Sequence, residues 1–514
     1  MSLTQHLSAQ LPAHLPALQV VLPLLSAPLA VLLRHGGFAF AIVTAAAWAA
    51  FATAIGLWLQ VGQLEPGGVI SYHIGSWAPP WGIEYRVDRL ASFVLLLVSG
   101  TAAVVLPWSR ASIAREIPPE RHYLFYAMFG LCLTGLLGIT ITGDAFNIFV
   151  FLEISSLSTY VLIALGQDRR ALAAAYRYLI MGSIGATFIV IGIGFLYLMT
   201  GTLNLADMAV RLRAMESSRP VLAALAFLTV GISLKLALFP LHQWLPNAYT
   251  YAPSAVTAFL AATATKVSVY VLIRFYFSVF GESLVFHELP LPQIMLWLSL
   301  FAMFAASFIA IFQDNLKRLF AYSSVGQIGY ITLGLSFDSV HGLTASIIHL
   351  FNHGITKGAI FLLIGGIVAV SAVRGAPSMS TTVTFARIAG LGKRMPLTCF
   401  GIVIAGLSLI GVPGTAGFIS KWYLIVAALE AEQYWLVGAI LLSSLLAVAY
   451  VWRFVEAAYF RPPPAGHESR NEASLALLIP AWVLVAATLW FGLDTSFTVG
   501  SALEAAQQLV RSGQ

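Results

Sequence analysis

Glu153, Lys235, Lys266 and Lys421 each interrupt a long apolar stretch of the sequence. An unpaired charge at bilayer depth costs at least ~2.5–3.5 kcal/mol, so residues of this kind usually line a polar path through the protein interior. One carboxylate and three amines spread along such a chain point to proton movement. An ammonium and a carboxylate ~4 Å apart stabilise each other by ~4 kcal/mol at an effective dielectric of ~20. Making or breaking a Glu153–Lys235 contact therefore switches the lysine between holding and releasing a proton.

His242, His349 and His353 are candidate intermediates, because a neutral imidazole accepts and donates near pH 7. His349 and His353 are four residues apart, on one helix face, with Lys357 one turn further on. That spacing also suits a metal, but no cysteine or paired carboxylate accompanies it, so no metal is expected. Several groups have plain structural roles open to them. Asp144 stands at a helix start where it can cap, and Lys421 precedes Trp422 and Tyr423, an interfacial pattern that permits snorkelling. Arg177 and Arg274 suit helix anchors. Cys132 and Cys399 stand alone, with no CxxC spacing, so neither a cluster nor another cofactor is expected.

The chain that must position these groups has 514 residues, 59% hydrophobic and 9% charged, with mean hydropathy +0.87. Soluble domains carry ~25% charged residues, so this is an all-α integral membrane protein. A helical span needs ~20 apolar residues. About fourteen such segments can be counted, near 17–33, 38–61, 89–108, 122–143, 145–166, 175–200, 220–240, 253–280, 291–313, 318–337, 343–371, 396–430, 434–458 and 474–493. The N-terminus has no basic region or cleavage site of a removable signal peptide.

The net charge of +6 reflects loop basicity that alternates by side. Loops after odd-numbered spans hold fourteen Lys and Arg, among them Arg110, Arg115, Lys317, Arg318, Arg374 and Arg470; loops after even-numbered spans hold five. The positive-inside rule then puts the odd loops in the cytoplasm and both termini outside, in the plasma (inner) membrane of a prokaryote.

Two segments depart from simple spans. Lys235-Leu-Ala-Leu-Phe-Pro240-Leu-His242-Gln-Trp-Leu-Pro246 and Gly411-Val-Pro413-Gly414-Thr-Ala-Gly417-Phe-Ile-Ser-Lys421 put proline, glycine and polar groups at membrane depth. Both helices are expected to break there, and such backbone is tolerated only inside protein or beside a water-filled cavity. Pro240 and Pro413 lie 173 residues apart, and similar offsets relate Gly182 to Gly354 and Ser156 to Ser324. The expected organisation is an N-terminal part (1–121), two inverted five-helix repeats (122–280 and 281–458), and a last helix with a short tail (459–514).

The stretches FLEISSLSTYVLIALGQ (151–167), LKLALFPLHQWLPNAYTYAPSAVTAFLAATATKVSVYVLIR (234–274), NLKRLFAYSSVGQIGY (315–330), HLFNHGITKGAIFLLIGG (349–366) and GVPGTAGFISKWYLI (411–425) resemble the proton-conducting antiporter-like family. That family comprises the large membrane subunits of Mrp multisubunit Na+/H+ antiporters, respiratory complex I and membrane-bound hydrogenases. The resemblance implies fourteen helices with two inverted repeats. It matches Glu153 and Lys235 to the family's entrance-side pair, Lys266 to its central lysine, and Lys421 to the terminal ionisable group on the broken twelfth helix. His242 and His349 match linking positions.

Lysine at position 421 and the short C-terminus look most like the D-type subunit of the Mrp antiporters. The resemblance thus implies a transporter subunit, not itself an enzyme, with partner membrane subunits in a hetero-oligomeric complex. It would carry H+ while a partner handles Na+. The alternative it leaves is a proton-pumping, non-redox subunit of an NADH dehydrogenase-type or hydrogenase complex.

Overall fold

The computed structural model describes residues 11–215, 218–371, 382–463 and 472–513. Loop residues Arg374 and Arg470, counted above, lie outside this range. Twelve helices among the described residues are long and apolar enough to cross a membrane. They are α1 (Leu11–Leu33), α2 (Gly36–Gly62), α3 (Arg89–Glu116), α4 (Pro119–Ile141), α5 (Ala145–Ala164), α6 (Arg169–Thr200), α8 (Arg219–Leu236), α10 (Ser254–Phe280), α11 (Leu291–Ile311), α13 (Val340–Ser371), α16 (Tyr434–Phe460) and α17 (Leu475–Leu493). Between them lie α7 (Leu205–Leu212), α9 (Trp244–Tyr251), α12 (Leu316–Leu335), α14 (Pro396–Ile410) and α15 (Ala416–Glu430). The two further expected spans are the less apolar α12 and the broken pair α14–α15.

Polar side chains fix where several helices begin. Asp88 accepts from Ala91 N at 2.9 Å to start α3, Asp144 from Asn147 N at 2.7 Å to start α5, and Asn315 from Arg318 N at 3.3 Å to start α12. Each satisfies an amide that the first helical turn leaves without a partner. Asp144 is therefore a cap. A short antiparallel pair, β1 (Ile70–His73) and β2 (Glu84–Val87), precedes α3.

Both expected breaks are present, for related reasons. α8 stops where Ala237 turns left-handed (φ 61°), and Leu238 N returns to Ser233 O at 2.9 Å. The chain resumes as α9, whose Trp244 indole donates to Leu234 O at 2.9 Å. α14 stops at Gly411 (φ 91°), a conformation that favours glycine. α15 then runs so close to α14 that a Cβ on Gly417 would stand 1.8 Å from Ser408 O.

α13 is the axis of the assembly. Buried from Gly342 to Ala369, it packs against α3, α10, α12, α14, α15 and α17. The C-terminal segment expected as a short tail is instead a helix, α18 (Ser496–Gly513), lying against α3, α10 and α13. An Arg89–Glu504 ion pair (2.8 Å) and a Gln508–Gly67 hydrogen bond (3.0 Å) fasten it.

Candidate functional site

Glu153 and Lys235 meet between α5 and α8. The carboxylate Oε1 is 3.5 Å from the ammonium, which also donates to Ser156 Oγ at 2.9 Å. Lys235 is almost wholly enclosed, whereas the Glu153 side chain keeps a quarter of its surface exposed. The acid thus touches the surroundings and the amine does not. A cavity of about 30 Å³ separates Lys235 and Ser156 from Ala264 and Ser268 on α10. That is room for one or two waters, and the wall includes enough hydroxyls to hold them.

Lys266 follows on α10, buried, donating to Ala261 O at 2.5 Å and Thr265 Oγ1 at 3.4 Å. No carboxylate pairs with it among the described residues. Its charge instead acts on His349, His353 and Lys357 of α13. The His349 and His353 rings lie nearly parallel, with centroids 5.8 Å apart. Both ring nitrogens of His353 are buried with no hydrogen-bond partner, so this imidazole has two sites open for proton exchange. Lys357 donates to Phe320 O at 2.8 Å and to Ser323 Oγ.

His349 leads onward. One ring nitrogen meets Gln327 Oε1 at 2.9 Å and the other Ser420 Oγ at 2.7 Å. Ser420 is the residue before Lys421 on α15. Lys421 does not snorkel. It is buried and donates to Leu409 O and Ile410 O at 2.9 Å each and to Ser444 Oγ at 3.0 Å. Those carbonyls belong to the end of α14, where the helix break leaves acceptors unpaired and the helix dipole favours a cation. The Tyr330 ring lies 4.5 Å beneath the ammonium.

The structure therefore brings seven of the eight expected groups into one buried line from α5 to α15. His242 stands apart: it stacks on Phe239 (5.1 Å) and approaches Tyr322 (6.2 Å). No hydrogen bond or ion pair joins it to Glu153, Lys235 or Lys266, and its Nδ1 has no partner.

The transmembrane pattern of the NADH:quinone oxidoreductase/Mrp antiporter family matches residues 142–447, which contain all eight groups. The chain belongs to this family. It is 40% identical over 507 residues to the N subunit of the NADH-quinone oxidoreductase of Desulforudis audaxviator, covering 96% of this chain and 98% of that one. It is 28% identical over 493 residues to the D subunit of the Na(+)/H(+) antiporter of Bacillus subtilis, covering 96% of each. Its structure is similar to a chain in the Mrp complex of Dietzia sp. DQ12-45-1b, with a TM-score of 0.86 at 25% identity over 97% of this chain and 98% of that one. It is a membrane subunit of the Mrp and complex I type.

Two buried charged groups of this family member escape a reading by sequence. Lys317, counted above as a loop residue, is fully buried in the first turn of α12, where it donates to Ser254 Oγ at 3.1 Å and Ala252 O at 3.4 Å. Glu116 accepts from Ser254 N (2.8 Å) and Oγ (3.1 Å), so one serine bridges the two charges. Arg274 holds Asp88 through both guanidinium nitrogens and donates to Tyr270 Oη at 2.9 Å, an anchor between α10 and the start of α3. Exposed Arg177 takes no part.

Proposed function

We propose that this chain translocates protons across the membrane as one subunit of a multisubunit complex. The relay consists of Glu153, Lys235, Lys266, His353, His349 and Lys421, with Lys357 beside its centre. The observation that carries the reading is the continuity of the buried line. It runs from a partly exposed carboxylate at one end to a lysine on a broken helix at the other, through groups that each gain and lose protons. Hard cations need several oxygen ligands, whereas this line offers one carboxylate among amines that repel them. Na+ is therefore assigned to a partner subunit.

The first reading of the driving reaction is cation/H+ antiport, supported by end-to-end similarity to a chain of an Mrp complex. The 40% identity to an oxidoreductase N subunit favours a second reading, a pump module driven by a redox reaction elsewhere in the complex. Vesicles carrying the whole gene cluster separate the two. A Na+ pulse that changes internal pH supports antiport. Acidification on adding NADH, without a Na+ response, replaces that reading with the second.

The relay belongs to a frame that we propose is made of two inverted repeats, 122–280 and 281–458, following an N-terminal part (1–121) and followed by a C-terminal one (459–514). A broken helix bearing a lysine in each half, α8–α9 and α14–α15, supports this. Superposing the halves by a half-turn about an in-plane axis must lay one break on the other, or the idea fails. Loop charge supports both termini lying outside the plasma membrane. Labelling of a single cysteine placed at residue 11 by a membrane-impermeant reagent from the cytoplasmic side alone would refute it.

A further inference from the structure

Outside the buried line, one cluster brings together side chains that ligate metals. Glu282 sits in the turn between the last segments of α10 and the loop that carries His287, and Asp338 sits in the turn between α12 and α13. One ligand atom from each of the three residues lies within 4.8 Å of the other two. The His287 Nε2 to Asp338 Oδ2 distance is already 3.4 Å. Bonds of ~2.0–2.1 Å in a tetrahedral site place neighbouring donors ~3.3–3.4 Å apart, so this edge needs no movement.

Two further features call for a cation. Glu282 and Asp338 oppose like charges at hydrogen-bonding range with only one imidazole to offset them. The Asp338 Oδ1 atom is enclosed and has no hydrogen-bond partner among the described residues. The donor set of one imidazole and two carboxylates suits Zn2+ or a similar divalent metal. It offers too few oxygens for Ca2+ or Mg2+. His287 is two-thirds exposed, which leaves an open side for water as the remaining ligand.

We propose that Glu282, His287 and Asp338 form a divalent transition-metal site that ties the end of α10 to the turn between α12 and α13. These helices carry Lys266, Lys357 and the histidine pair, so the metal would clamp the centre of the line from its rim. The site stands whether or not the relay reading does, because its test measures binding.

The test is Zn2+ titration of the purified full-length complex against a chromophoric chelator, comparing wild type with Glu282→Gln, Asp338→Asn and His287→Ala. Loss of outer-shell partners alone costs ~10–100-fold in affinity, so each ligand variant should weaken one equivalent of Zn2+ by more than ~10-fold. X-ray absorption at the zinc edge should show nitrogen and oxygen donors only. His287→Ala changes only an exposed side chain, so it reads the site even where a carboxylate variant fails to fold. Equal Zn2+ uptake by wild type and His287→Ala, or no uptake by either, overturns the proposal and leaves Glu282 and Asp338 sharing a proton.

Discussion

Lys421 offers a clean way to separate a proton carrier from a structural cation. Its ammonium makes three hydrogen bonds, to Leu409 O, Ile410 O and Ser444 Oγ. Leaving a buried acceptor unsatisfied costs ~1–3 kcal/mol. Lys421→Met orphans three at once, so it should destabilise the chain on the order of 3–6 kcal/mol, allowing for water reaching some of them. Lost transport in that variant would therefore prove nothing about protons. Lys421→Arg is the informative change: a guanidinium keeps the positive charge and several donors, and costs ~1–3 kcal/mol for its extra bulk. It cannot give up its proton at any accessible pH.

The account therefore expects Lys421→Arg to assemble and melt near wild type while proton transport, followed by a pH-sensitive dye in vesicles, falls to background. Wild-type proton flux in Lys421→Arg would refute the reasoning, because a permanently charged residue would then be serving as well as a titrating one.

Two more outcomes follow from the geometry. Gly417→Ala places a methyl against Ser408 O, at 1.8 Å before any movement, so α15 must shift away from α14. The expected result is a chain of reduced melting temperature in which the Lys421 contacts are lost and proton flux with them; unchanged melting and flux would contradict the close approach. In metal-free protein, burial first, and Asp338 beside it second, push the Glu282 carboxyl up to about 7. The folded chain thus keeps a proton that the unfolded chain releases near the ordinary glutamate value. Stability should fall as pH rises from about 4.5 to 7, and Glu282→Gln should flatten that part of a melting-temperature profile.

What the sequence disclosed depended on contrast with its surroundings. Glu153, Lys235, Lys266 and Lys421 were legible because each interrupts apolar sequence, and both helix breaks because proline and glycine leave few alternatives at such depth. Lys421 was ambiguous with a snorkelling lysine, since Trp422 and Tyr423 suit an interface equally well; only the turn of α14 toward it shows its carbonyl partners. Lys317 and Glu116 stayed hidden because Arg318 and Pro118 beside them read as loop, while the serine that bridges them comes from α10. α18 is too polar to register as a span, and its burial against α3 and α13 is a tertiary fact. The three groups of the proposed metal site lie on two turns about fifty residues apart, where spacing carries no signal.

The central claim is that protons cross through this chain by way of Glu153 and Lys235. It is tested most directly by proton flux into vesicles carrying the whole complex, wild type against Glu153→Gln, a change that removes the charge and keeps the shape. The account predicts an assembled complex with flux reduced to background. Flux at the wild-type rate in Glu153→Gln would contradict it and move the pathway elsewhere.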